Sequence, residues 1–242
     1  GIGLAAKVLC NPGDVILAES PTFLGALQTF YAYEAKVVGV DMDEDGMIVD
    51  ALEEKIISHR PKFIYTIPTF QNPSGRTMPI KRREKMLEVC KRHGVLVLED
   101  DPYCDLRYSG DPVSPIKSLD DNGHVIYLMS FSKIISPGLR VGAAIADKRI
   151  IEKYNICKQG EDLHTANLSQ EIVNAYMHSG KIDGHIQSVC ADYRVKRDAM
   201  LKKLEEFPEG VRYTRPDGGL FIWVTLPESM NALTLFRQCV DA

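Results

Sequence analysis

Over the first 150 residues, short apolar runs alternate with stretches of helical spacing. β-rich runs fall at 14–19 (DVILAE), 36–41 (KVVGVD), 62–68 (KFIYTIP), 95–100 (VLVLED), 125–130 (VIYLMS) and 141–146 (VGAAIA). Several are continuously apolar, the pattern of strands covered on both faces. Helical patterns lie between them at 3–10, 50–59 and 80–93. The last has Pro79 beside its start and Gly94 just past its end, the usual asymmetry of helix termini. This alternation predicts an open, mainly parallel α/β sheet.

After residue 147 the texture changes. Helical patterns cover 148–157 and 168–179, and a long charged helix is expected over 182–207. Two short strands follow (VRYT and LFIWVTL), with Pro216-Asp217-Gly218-Gly219 as a turn. The expected division is a large domain over 1–185 and part of a smaller α+β domain over 186–242. Both ends read as helices already under way, so the chain is expected to be an internal piece of a longer protein.

Composition narrows the classes. The chain has 242 residues, 45% apolar and 26% charged, which suits a globular protein with a sizeable core. A formal charge of −4 offers no general field for nucleic acid or anionic lipid. No apolar run is long enough to span a bilayer, and no signal peptide is visible. The basic run KRREK (81–85) reads as a solvated helix face. Six scattered cysteines without a CxxC pair argue against zinc or a disulfide scaffold and suit a cytoplasmic location.

Candidate chemistry collects at strand ends. In open α/β sheets ligands bind outside the carboxyl ends of the strands. Phe23 follows the first run, and Asn72 follows KFIYTIP in the turn Asn72-Pro73-Ser74-Gly75. Asp100, Asp101 and Tyr103 follow VLVLE. Ser130, Ser132 and Lys133 follow VIYLM, with Arg140 in the next turn. A lysine at the lip of a buried strand is costly unless it is paired or reactive. The set suits pyridoxal phosphate, which needs an amine for a Schiff base and an acid beside its ring nitrogen. Lys133 and Asp100 fill those roles. Tyr103 and Asn72 can donate to the phenolate, Ser130, Ser132 and Arg140 can hold the phosphate, and Phe23 can stack on the ring. Each has a blander reading: a solvated lysine, aspartates in turns or caps, a plain turn at Asn72, a core aromatic, a surface arginine.

The motifs NPGDVILAESPTF, QNPSG, EDDPY, SFSKIISPGLRVG and RPDGGLFIWV occur in this order and span nearly the whole chain. As a set they resemble the class I/II aminotransferases of the fold-type I pyridoxal-phosphate enzymes, most of all the 2-aminoadipate and kynurenine aminotransferase branch. The resemblance implies a three-layer, mainly parallel large domain with part of a smaller α+β C-terminal domain. It implies catalytic roles for Lys133, Asp100 and Tyr103, with Asp100 and not Asp101 as the pyridine partner. It also implies amino acid and 2-oxo acid substrates, a homodimer, and no nucleic acid or membrane partner for this fragment. Phe23 stands where relatives often carry tyrosine. A phosphate loop is expected before Gly1 and a substrate-carboxylate arginine beyond Ala242. Two alternatives stay open: the aminotransferase-like effector domain of a helix-turn-helix regulator, and a lyase or decarboxylase on the same scaffold.

Overall fold

The computed structural model describes residues 1–241. Its main sheet contains β1 (Val15–Ser20), β2 (Lys36–Asp43), β3 (Gly46–Met47), β4 (Phe63–Thr66), β5 (Leu96–Asp101), β6 (Val125–Ser130) and β7 (Gly142–Ile145). The order is β3-β2-β1-β4-β5-β6-β7. The β2-β1-β4-β5-β6 pairings are parallel, while β3 and β7 run antiparallel at the two edges. Parallel neighbours need crossovers. Helices α2 (Leu24–Ala32), α3 (Val49–His59) and α4 (Ile80–His93) supply three of them, the connection from β5 to β6 carries only the 3₁₀ turn Ile116–Leu119, and α1 (Ile2–Leu9) precedes β1. α2 and β3 were not legible from the hydrophobic pattern.

Both faces of the sheet are covered, which is why its strands read as unbroken apolar runs. Alternate residues sort to the two sides. Ile16, Ala18, Phe63, Tyr65, Leu98, Ile126 and Leu128 join α1 and α2 side chains in one core. Leu17, Ile64, Val97 and Val125 join α3 and α4 in the other. Each fully buried large apolar side chain stabilises the fold by roughly 1.5–3 kcal/mol. The three-layer arrangement expected from the sequence is present.

α4 begins at Pro79 and ends on Gly94, whose φ of 66° forms a left-handed cap. The KRREK run is not uniformly solvated, however. Arg83 is fully buried, and its guanidinium donates to the carbonyls of Met78, Pro68 and Ser114 and to Thr69 Oγ1. It ties α4 to the loop after β4.

Beyond β7 come α5 (Lys148–Gln159), α6 (Asn167–His178) and α7 (Ile182–Leu204). α7 runs unbroken through residue 185 and stops three residues before the expected end. β8 (Arg212–Tyr213) pairs antiparallel with β9 (Val224–Thr225), and α8 (Ala232–Asp241) follows. The seven-residue strand expected over 220–226 narrows to two residues because the preceding segment docks on the large sheet's loops. Gly218 bridges to Arg107, and Tyr108 donates to the carbonyl of Gly219 at 2.5 Å. A side chain at Gly218 would strike the Leu106 carbonyl and the Phe70 ring, so the approach requires glycine. No helix among the described residues is long and apolar enough to cross a membrane.

Candidate active site

A cavity of about 900 Å³ opens at the carboxyl ends of the central strands. Phe23, Asn72, Asp100, Tyr103, Ser130, Ser132, Lys133 and Arg140 all line it. Phe23 comes from the β1–α2 turn and Asn72 from the loop after β4. Asp100 and Tyr103 belong to the end of β5 and the turn beyond it. The last four come from the end of β6 and the turn leading to β7. The fold thus brings together groups up to 117 positions apart in sequence, Phe23 and Arg140 being the extremes.

The neighbouring aspartates of β5 face opposite ways because side chains alternate along a strand. Asp100 lines the cavity, and its Oδ2 accepts a hydrogen bond from the Tyr65 hydroxyl at 2.7 Å. Burial pushes its carboxyl up to about 6; the Tyr65 bond works against this and Asp101 reinforces it. Asp101 is buried on the other face, where its Oδ2 accepts from Tyr127 at 3.0 Å. Asp101 therefore lies inside the strand and is not a turn or cap residue.

Tyr103 is buried, and its ring meets Phe221 edge-on at 5.9 Å. Burial raises its phenol, while a hydrogen bond with Asn72 opposes the rise. Phe221 itself lines the cavity. Its only sequence signal was membership of the RPDGGLFIWV motif.

The loop bearing Asn72 is fastened from below. Glu19, buried at the end of β1, accepts from Thr66 Oγ1 at 2.5 Å, from the Ile67 amide at 3.2 Å and from Gln71 Nε2 at 3.1 Å. Gln71 also donates to the Pro21 carbonyl and accepts from the Ser74 amide. One buried network therefore joins the Phe23 turn to the Asn72 turn. Burial pushes Glu19 up to about 7, against these donors. The sequence reading missed Glu19, Tyr65 and Gln71. The alternation in KFIYTIP, which puts residue 65 on the same face as Ile67, was the available signal for Tyr65.

Phe23 lies across the first turn of α2. A Cβ on Gly25 would meet its ring, so the ring occupies space that glycine leaves open. Ser130 Oγ accepts from the Ser132 amide at 3.2 Å. Lys133 and Arg140 are both exposed along the cavity's rim. The 3₁₀ turn Pro137–Leu139 between them ends in Arg140 at a left-handed φ of 55°.

The strand ends of this mainly parallel, three-layer fold thus bring an amine, a carboxylate, a phenol, hydroxyls and a guanidinium to one cavity. The family model "Aminotransferase class I and II" matches residues 1–242, and the chain belongs to that family. Members of the family use pyridoxal phosphate. The chain is 47% identical to the aromatic-amino-acid aminotransferase 1 of Thermococcus litoralis, over 99% of its own length and 59% of the relative's. It superposes on the multiple substrate aminotransferase of Thermococcus profundus with a TM-score of 0.96 at 45% identity, covering 99% of this chain and 61% of that one. The α-aminoadipate aminotransferase LysN of Thermus thermophilus, solved with N-(5'-phosphopyridoxyl)-L-leucine, matches with a TM-score of 0.94 at 38% identity, over 99% of this chain and 62% of that one. The chain thus spans about three-fifths of the length of these proteins.

Proposed function

We propose that the protein is a pyridoxal-phosphate-dependent aminotransferase that moves an amino group from an amino acid to a 2-oxo acid, and that Lys133 carries the chemistry. The observation that supports this most is the convergence of eight groups, chosen from sequence alone, on one cavity. The donor set fits the cofactor. The Asp100 carboxylate has one oxygen engaged by Tyr65 and suits a protonated ring nitrogen. Tyr103 and Asn72 suit the phenolate oxygen, Ser130, Ser132 and Arg140 the phosphate, and Phe23 the ring face. Bound pyridoxal phosphate supplies a reactive carbonyl carbon and an electron-withdrawing ring.

The chain's own residues do the rest. Lys133 Nζ holds the cofactor covalently between turnovers. Once released, it acts as the base that takes the proton from the substrate's α-carbon and redelivers it. The ionised Asp100 keeps the ring nitrogen protonated by an opposite-charge effect. The hydroxyls and Arg140 fix the phosphate, so the reacting carbon stays in register with Lys133.

The regulator reading is not favoured, because the relative at 47% identity is named an aminotransferase. We further propose residues 1–185 as the cofactor-binding unit, 186–242 as the start of a second unit, a homodimer, and a cytoplasmic location, the last supported by six free cysteines. The test uses the full-length protein loaded with pyridoxal phosphate. Borohydride should fix the cofactor to the wild type and not to Lys133→Ala, and amino acids should convert it to pyridoxamine phosphate. Covalent attachment in the alanine variant would overturn the Lys133 assignment. Failure of a broad amino-acid panel to convert the cofactor would overturn transamination.

A further inference from the structure

We propose that Tyr65 is a positioning residue for Asp100: its hydroxyl ties down one carboxylate oxygen so that the other is the one presented to the cofactor's ring nitrogen. This rests on the functional reading above and deepens it.

Geometry carries the argument. Tyr65 sits on β4, two strand positions before Ile67, and shares the cavity-side face of the sheet with Leu98 of β5. Asp100 lies two residues further along β5 on that same face. The Tyr65 ring is fully buried and fixed edge-on by Phe30 of α2, with ring centres 5.5 Å apart at 76°. From there its hydroxyl reaches Asp100 Oδ2 at 2.7 Å, the length of a charge-assisted hydrogen bond. No other side chain or amide among the described residues donates to the Asp100 carboxylate within hydrogen-bond reach, which leaves Oδ1 for the cavity. Asp101 is the internal contrast: it is also held by a tyrosine, Tyr127, yet lies on the face without the cavity.

The pairing has chemical consequences. A hydrogen bond to a carboxylate favours its charged form, which is the form that holds a protonated ring nitrogen. Burial and the Asp100 charge raise the Tyr65 phenol well above its usual range, so Tyr65 stays a donor and does not exchange its proton in the working pH range. The groups that bear on Asp100 from the surrounding elements are Tyr65 and Tyr103 and the carboxyls of Glu19 and Asp101. Of these, Tyr65 is the one that donates to it. The phenol touches neither substrate nor cofactor in this scheme; it acts through Asp100.

The experiment uses Tyr65→Phe in the full-length protein, which removes the hydroxyl and keeps the ring against Phe30. Three readouts are independent of turnover. In the cofactor-free protein, the Asp100 carboxyl is followed by ¹³C NMR against pH, assigned by its loss in Asp100→Asn. Its midpoint should rise by about one pH unit or more, the effect of losing a hydrogen bond to a charged group. In the loaded protein, the ring-nitrogen ¹⁵N shift should report a larger unprotonated fraction, and cofactor affinity should fall about tenfold or more. A double-mutant cycle separates positioning from mere packing: in the Asp100→Asn background, adding Tyr65→Phe should change affinity less than twofold. An unmoved Asp100 midpoint, or full additivity in the cycle, overturns the proposal. If the wild type fails to bind the cofactor at all, the functional reading falls, while the NMR titration still decides whether Tyr65 governs Asp100.

Discussion

Glu19 offers the sharpest test of the buried network beneath the site. It is fully enclosed, and burial lifts its carboxyl from the ordinary 4.5 to about 7 despite bonds from Thr66, Gln71 and Ile67. For an acid raised in the folded state, the unfolded chain loses its proton first as pH rises. Folding stability therefore falls with increasing pH, beginning near 4.5 and levelling off above about 7. At 1.36 kcal/mol per pH unit this amounts to about 3 kcal/mol from Glu19 alone. Glutamine has nearly the same shape and no charge to desolvate. Glu19→Gln should cost about 1 kcal/mol at pH 5, where one amide hydrogen faces the donor of Gln71. At pH 8 it should equal or exceed the wild type, because the burial penalty on the charge is gone. The assay is urea unfolding of the full-length protein at half-unit steps from pH 5 to 8, comparing midpoints at constant slope. The difference between variant and wild type should swing by about 3 kcal/mol in the variant's favour over that range. A variant equally destabilised at both ends would refute the reasoning, for it would mean that the donors outweigh burial and keep Glu19 ionised throughout.

Other expectations follow from the same geometry. Asp100→Asn should slow the half-reaction with an amino acid at least a hundredfold in single-turnover assays. Asp101→Asn should slow it far less, while costing about 1–3 kcal/mol in urea unfolding because Tyr127 loses a charged acceptor. Arg140→Ala should weaken cofactor retention by about tenfold to a hundredfold in equilibrium dialysis, the effect of one lost charge-assisted bond. Gly25→Ala should keep or slightly raise the thermal midpoint, since alanine favours a helix by about 0.5–1 kcal/mol. It should also displace the Phe23 ring and weaken cofactor binding several-fold, read by fluorescence titration.

The sequence by itself determined the architecture and which strand-end residues line the cavity. Runs such as VIYLM are apolar at consecutive positions, the pattern of a strand covered on both sides, and their alternation with helical stretches made the layered sheet legible. The resemblance to the family's D-x-x-Y pattern separated Asp100 from Asp101, and the alternation of side chains along β5 shows the two on opposite faces. Strand ends were legible because turn residues and polar groups follow each apolar run. What escaped were contacts between segments distant in the chain. Nothing local distinguishes Glu19 from a surface glutamate; its burial comes from Thr66 and Gln71, some 50 positions away. Arg83 looked like part of a solvated face because its four carbonyl and hydroxyl acceptors belong to loops that fold over α4. The strand expected over 220–226 was shortened by docking of Gly218 and Phe221 against Phe70 and Tyr103. Periodicity records which side of an element faces the core. Which polar group meets which is decided only when the elements pack, because a buried charge is tolerated solely where the fold has gathered its partners.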